Sequence, residues 1–378
     1  MKKPMLLGIF LLLSLSVNIV IATDWFEDWE YRKSHNLIGS TTGPVTDYQI
    51  RITAHYGNGT DSGENIYLNG KCRTDFGDIR FTASDGSTLL NYWIEKKVDS
   101  DYAIFWVKIP GIPASPDTAI IYVYYGNPSV TTTSNGTNTF LSFQDWEAYN
   151  NGDTLPIGEF EVGAILGTVK VDDADSYEGS KSLYHLDDNS VANERNWVIW
   201  NFPDKTSGGY RFFIIFKQKN TAATDEIGWH LRNSVGNQVL SLIAANGILQ
   251  DYYGGAWHTI TSYSFSKWHV IEICVEIGAS TWDLRFDDTW YSNRTLRTSN
   301  PTSFVEIYQF SAGTSAVFNG WTDPYFISKY VDPEPTHGAW GSEESYTVPA
   351  EYTLSFSNAF LLAIVISIMV ILIVRKEL

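Results

Sequence analysis

Basic residues are scarce in this 378-residue chain. Only 26 Lys and Arg stand against 43 Asp and Glu, a formal net charge of −17. Nucleic-acid phosphates are held by clustered Lys and Arg, so the balance excludes a nucleic-acid partner. Cysteine is nearly missing. Cys72 and Cys274 are too few for a disulfide framework or a Cys-rich zinc site, and their separation predicts two buried free thiols. Seven His residues show no His-x-x-x-His spacing, and no Gly-x-Ser-x-Gly elbow or phosphate loop occurs. Serine-hydrolase and nucleotide chemistry therefore have no support. Helical periodicity of useful length is also lacking between residues 25 and 350.

What is present is aromatic and apolar. Hydrophobic residues make up 44% of the chain, with 14 Trp, 22 Tyr and 20 Phe, ample material for a core. Two apolar segments lie at the ends. Lys2-Lys3, the run Leu6 to Ile21 and Ala22 have the layout of a signal peptide over 1–22. Leu354 to Val374 carries 21 residues without a formal charge. At ~1.5 Å per residue it spans ~30 Å, the thickness of a bilayer core. Arg375 and Lys376 follow it, and positive residues favour the cytoplasmic side. The expectation is a single-pass protein of the cell membrane, with residues 23–353 extracellular and a cytoplasmic tail at 375–378. Setting aside Lys2, Lys3, Arg375, Lys376 and Glu377 leaves 22 basic against 42 acidic residues, a net charge of −20 outside.

Between the ends the chain alternates with period two. Tyr48, Ile50, Ile52 and Ala54 face one way, and Gln49, Arg51, Thr53 and His55 the other, as in a half-buried strand. Similar runs at 79–83, 89–98, 103–109 and 118–125 predict a compact antiparallel β-sandwich over 25–130. Residues 131–139, rich in Ser, Thr and Asn, read as a linker. Eleven further runs from 170 to 330 predict a jelly roll of two large sheets over 140–341. Residues 342–353 read as a stalk. The fold class expected is thus all-β: two antiparallel β-sandwiches, the second a jelly roll, and one C-terminal transmembrane helix.

The first sandwich carries Trp29-Glu-Tyr-Arg-Lys33, Cys72-Arg-Thr-Asp-Phe-Gly-Asp-Ile-Arg-Phe81, Tyr92-Trp-Ile-Glu95, Phe105-Trp-Val-Lys108 and Ile121-Tyr-Val-Tyr-Tyr-Gly126. In these motifs it resembles domain-of-unknown-function family 2341, found in surface and secreted proteins of archaea and bacteria. The resemblance implies an extracytoplasmic β-rich module and no catalytic residues. The second is similar to the concanavalin A-like lectin/glucanase superfamily in its laminin-G-like form. Trp268, Trp282-Asp-Leu-Arg-Phe-Asp-Asp288 and Thr322-Asp-Pro-Tyr-Phe-Ile-Ser-Lys-Tyr330 carry that likeness. It implies a scaffold shared by sugar binders, adhesion modules and some glycosidases, among which fold alone does not choose.

Candidate sites follow from residue type. Glu272 and Glu276 fall with Cys274 on one face of a strand, as do the two carboxylates of a retaining glycosidase. Family-16 glycoside hydrolases have Glu-x-Asp-x-Glu there; Cys274 replaces the Asp. The alternative is an ordinary strand with a solvated acidic face. Asp172, Asp173 and Asp175 offer hard oxygen ligands suited to calcium, the one cofactor considered, or are solvated turn acids. Tyr252, Tyr253 and Trp257 beside Gly254-Gly255, and Trp290 beside another turn, could stack on sugar rings or serve the core. Asn58, Asn135 and Asn293 head Asn-x-Thr triplets that could accept N-glycans, making a glycoprotein. The expected role is binding or adhesion at the cell surface, with glycans or other envelope proteins as partners. A structural envelope or virion component without a soluble ligand, and a glycoside hydrolase using Glu272 and Glu276, are the rivals.

Overall fold

The computed structural model describes residues 25–26, 28–164, 167–187, 195–219, 226–312, 318–346, 365–367 and 369. The chain divides into two compact units, Met1–Trp25 with Tyr346–Leu378, and Phe26–Ser345. In the first unit residues 365–367 and 369 are helical. Among the described residues no helix is long and apolar enough to cross a membrane. The signal segment and most of the 354–374 run lie outside the described residues.

The second unit begins with β1 (Tyr31–Ile38), β2 (Val45–His55), β3 (Asn65–Tyr67), β4 (Arg80–Thr82), β5 (Tyr92–Val98), β6 (Tyr102–Ile112) and β7 (Thr118–Tyr125). A helical turn, α1 (Gly136–Thr139), follows. Next come β8 (Ser142–Gln144), β9 (Phe160–Ala164), β10 (Thr168–Asp172), β11 (Ser182–Asp187), β12 (Asn196–Lys205), β13 (Gly209–Gln218), β14 (Glu226–Arg232) and β15 (Gln238–Ala245). The remainder are β16 (Ile248–Tyr253), β17 (Ala256–Ser262), β18 (Trp268–Glu276), β19 (Thr281–Phe286), β20 (Thr289–Thr295), β21 (Phe304–Ala312), β22 (Phe318–Tyr330), β23 (Thr336–Trp340) and β24 (Glu344–Ser345).

These strands form four sheets, paired into two sandwiches. A five-stranded sheet, β23-β1-β7-β4 with β24 also on β1, faces a four-stranded sheet, β3-β2-β6-β5. Ile50, Ile52, Phe81, Phe105, Val107, Ile121 and Val123 fill the core between them. An eight-stranded sheet, β10-β11-β22-β13-β18-β19-β20 with β8 on β22, faces a seven-stranded sheet, β17-β16-β15-β14-β21-β12-β9. Trp200, Phe212, Ile214, Trp229, Leu242, Ile271, Ile273 and Tyr325 fill that core.

Several details differ from the sequence reading. The first sandwich is not wholly antiparallel, because β3 pairs with β2 in parallel. Its outer sheet is completed by the far end of the unit. β23 and β24 pair with β1 in register His35–Trp340 and Tyr31–Ser345, whereas the sequence reading put 336–341 in the second domain and 342–345 in a stalk. Acidic side chains fix this return. Glu343 accepts from Tyr125 at 2.8 Å and from Lys71, and Glu344 accepts from Arg32 Nε at 2.8 Å. The 131–139 stretch is bound to the first sandwich. Asn135 N donates to Tyr92 O at 2.8 Å, Ile94 N to Ser134 Oγ at 2.9 Å, and Arg80 Nη2 to Thr131 O at 2.6 Å.

The polar side of β2 is also buried. Gln49 is 1% exposed; its amide donates to Thr139 O at 2.8 Å and its carbonyl oxygen accepts from Lys329 N at 3.0 Å. Beside it, Trp93 and Trp106 meet Phe140, Phe213, Ile215 and Phe326 in a third core between the sandwiches. Trp106 lies 5.2 Å from Phe213, and Phe213 stacks on Phe326 at 4.1 Å. The four-stranded and eight-stranded sheets are therefore covered on both faces.

Candidate ligand-binding face

The seven-stranded sheet is built from alternating strands, and one set of alternate residues fills the core. Val198, Trp200 and Phe202 of β12, Ile227, Trp229 and Leu231 of β14, and Phe304 and Ile307 of β21 belong to it. Strand alternation then puts Trp197, Ile199, His230, Arg232, Glu306, Tyr308 and Phe310 on the opposite face. The register lines them up. Ile199, Tyr308, His230 and Ser241 form one row across four strands. Trp197, Phe310, Gly228, Ile243 and Gln250 form the next.

Rings and guanidinium groups interleave on this face. Trp197 lies 5.9 Å from Tyr308 and 5.4 Å from Phe310, and His230 lies 5.2 Å from Phe310. Gly228 makes room: a Cβ there would come within 2.3 Å of the Phe310 ring. Arg195 sits 4.3 Å over Phe310, Arg232 4.2 Å over Tyr308, and Arg297 4.5 Å over Tyr252. Such cation–π contacts are worth about 0.5–1 kcal/mol at exposed sites and about 2 when desolvated. Arg195 pairs with Glu226 at 2.5 Å and Arg232 with Glu306 at 3.4 Å. Arg297 is exposed and donates to Ser241 Oγ at 3.1 Å.

His230 is the central polar group. It is 6% exposed, and its Nδ1 is buried without a hydrogen-bond partner among the described residues. Burial pushes its pKa down to about 3, helped by Arg297, Arg195 and Arg232. The imidazole is therefore neutral at ordinary pH, a donor or acceptor according to its tautomer.

Of the residues singled out by sequence, Tyr252 and Trp257 adjoin this face. They are a cross-strand pair on β16 and β17 with ring centroids 5.2 Å apart, and Trp257 is 39% exposed. Tyr253 points elsewhere and stacks on His258 at 3.8 Å. Trp290 is 47% exposed but lies on β20 of the other sheet. Sequence reasoning missed Arg195, Trp197, His230, Arg232, Arg297 and Tyr308. The available signal was the off-core half of each alternating run, which carries aromatics and Arg where Ser, Thr or Lys would suffice for solubility.

The remaining candidates sit apart. Glu272 is 2% exposed, so neither an open cleft nor a solvated acidic face describes it. It is ion-paired with Arg211 at 2.8 Å and Arg285 at 3.3 Å. Burial raises its carboxyl pKa while the two arginines oppose the shift. Arg211 also pairs with Glu334, which accepts from Tyr48 of the first sandwich at 2.8 Å. Glu276, at the end of β18, is half-buried. Asp172 accepts from Trp321 Nε1 at 3.2 Å and pairs with Lys170 at 3.1 Å. Asp173 accepts from Asn151 at 2.6 Å, and Asp175 from Trp268 Nε1 at 3.0 Å and Lys217 at 2.5 Å. Among the described residues no group of three or more His, Cys, Asp or Glu is arranged to hold a metal ion. Asn58, Asn135 and Asn293 are exposed, and Asn135 Oδ1 accepts from Asn138 N at 2.8 Å, capping α1. Cys72 and Cys274 are buried free thiols.

Comparison with known families finds a match over residues 75–155 to the domain of unknown function DUF2341. No curated protein matches. Among solved structures, a sialidase is 10% identical with a TM-score of 0.42, over 62% of this chain and 20% of its own. The chain thus spans only a fifth of that sialidase. Cellulose induced protein Cip1 is 11% identical with a TM-score of 0.39, over 50% of this chain and 97% of its own. The Caenorhabditis elegans galectin LEC-6 is 15% identical with a TM-score of 0.25, over 32% of this chain and 84% of its own.

Proposed function

We propose that this protein binds glycans at the cell surface through the outward face of its seven-stranded sheet. One observation carries the reading: Trp197, Tyr252, Trp257 and Tyr308, with Arg195, Arg232 and Arg297, gather on the side of the sheet turned away from its core. Sugar rings present apolar C–H faces and hydroxyl edges, which suit flat aromatics beside fixed donors. The apolar segments at 6–21 and 354–374, each flanked by Lys or Arg, support an extracellular, membrane-anchored placement. Hydrolysis by Glu272 and Glu276 has less support, because Glu272 is enclosed by two arginines.

The test is glycan-array binding by the purified chain and by a Tyr252→Ala/Trp257→Ala variant. Trp257 is exposed and Tyr252 half-buried outside the core, so the variant should fold. The expected result is binding to a subset of glycans, weakened at least about tenfold in the variant, equivalent to ~1.4 kcal/mol. An array without a single bound glycan, or a variant that binds unchanged, would sink the reading.

A further inference from the structure

Glycan binding by this face leaves the charge of the ligand open. On the footing of that reading, we propose that the face takes an acidic glycan, a chain of carboxylate-bearing sugars such as a polyuronate, with Arg297 as the principal carboxylate partner and His230 as a hydrogen-bonding group beneath it.

The charge distribution is the first argument. The chain has 17 more acidic than basic residues, yet three guanidinium groups converge on one face of one sheet. Two of them have carboxylate partners on that face, Arg195 with Glu226 and Arg232 with Glu306, which leaves those pairs neutral overall. Arg297 has no carboxylate partner among the described residues; Ser241 Oγ and the Tyr252 ring hold it. A guanidinium over an aromatic ring still offers N–H groups at its edge, and such an edge meets a carboxylate through two parallel hydrogen bonds. That edge is the most accessible positive charge of the cluster, beside the exposed Trp257.

His230 supplies the second argument. A buried polar atom without a partner costs about 1–3 kcal/mol, and such atoms are few in folded proteins. His230 Nδ1 is one of them. It stands in the same row as Tyr308 and Ser241, and Ser241 holds Arg297. The atom is enclosed beside the Trp197 and Phe310 rings, so a sugar hydroxyl or carboxylate oxygen completes its hydrogen bonding once those rings shift aside. Among the described residues the Nδ1 has no hydrogen-bond partner. A sugar oxygen gives it one.

The experiment uses the full-length chain in detergent and isothermal titration with two probes, oligogalacturonate and the same oligomer fully methyl-esterified. The ester keeps the sugar backbone and removes the charge. The proposal expects the acid to bind at least tenfold tighter than the ester, with the preference shrinking as salt shortens the screening length. Arg297→Gln, an exposed substitution, should cost the acid at least tenfold and cost the ester less, so that the acid-over-ester preference shrinks. His230→Gln, checked for an unchanged melting temperature, should weaken the acid as well. Equal affinity for acid and ester, or an Arg297→Gln variant with unchanged preference, overturns the acidic class and leaves glycan binding standing. Failure of every array glycan and both oligomers overturns the two readings together.

Discussion

Arg211 should be among the most costly charged residues to remove, and the structure sets the size of the effect. Its side chain is buried between Glu272, at 2.8 Å, and Glu334, and its guanidinium lies 5.7 Å from the Trp106 ring of the other sandwich. Arg211→Met keeps the packing volume and deletes the charge. Of its ion pairs Glu272 then keeps only the longer contact to Arg285 at 3.3 Å, and Glu334 keeps only the neutral Tyr48 hydroxyl at 2.8 Å, so both carboxylates lose their shared counter-ion. Breaking one member out of a buried pair costs about 3–5 kcal/mol. For a large domain about 2 °C of melting temperature goes with each kcal/mol, so the variant should melt roughly 6–10 °C lower. Adding Glu272→Met removes the carboxylate left behind. The double variant should be more stable than the sum of the single changes by about 2 kcal/mol, since contacting residues are not additive. Differential scanning calorimetry reads all of these values. A single-variant shift below about 2 °C, or strict additivity, would refute the argument that this charge network holds the two sandwiches together.

Two further outcomes are expected. His185 is fully enclosed, its pKa pushed down to about 3 by burial alone, against 6.5 unfolded. Between those values the unfolded chain binds a proton that the native chain refuses, so stability falls as pH drops through that window. From pH 7 to pH 5 the loss should be about 2 kcal/mol, by linkage at ~1.4 kcal/mol per pH unit. Glu178, raised to about 7 by burial, acts in the opposite sense, so the quantity to compare is the pH 7-to-5 change in urea-derived stability between wild type and His185→Gln. An identical change in both would contradict the assignment. Trp106→Ala empties the centre of the inter-sandwich core and should cost about 3–5 kcal/mol. Because the sandwiches share that core, calorimetry should show one transition moving down; two peaks, with only one displaced, would show that they unfold independently.

Most strands were legible because their alternation is strong. The runs at 48–55, 118–125, 210–217, 238–244 and 270–277 all appear as strands. β1 was missed because Tyr-Arg-Lys-Ser-His-Asn is polar; Arg32, Lys33 and His35 are nonetheless buried, each bonded to a residue distant in sequence. β16 and β20 were missed because each is short and lies between turns. The rule that a polar strand face meets water failed at Gln49, since nothing local reveals that Lys329 of the second sandwich covers it. Tyr252 and Trp257 were legible as a pair beside a Gly-Gly turn. The rest of the face was not, because cross-strand register brings His230 and Tyr308 together, Arg195 and Arg297 lie just beyond strand ends, and register is a property of pairing. Glu272 looked chemical for the same reason: the strand pattern shows which side it points to, but not the two arginines waiting there.

The return of β23 and β24 to β1 has a consequence for synthesis. Everything from β8 to β22 is made after β7 and before the strands that finish the first sheet, so the second sandwich is an insertion within the first. The ribosome delivers the first sandwich with one edge of β1 bare, a row of unpaired N–H and C=O groups of the kind that recruits foreign strands. That edge stays open until roughly the last thirtieth of the compact unit has emerged, about 10–40 s after β7 at 5–20 residues per second. Tyr31 and Ser345 then close side by side. A nascent chain that stalls within the second sandwich presents this edge to its neighbours, whereas a finished one does not.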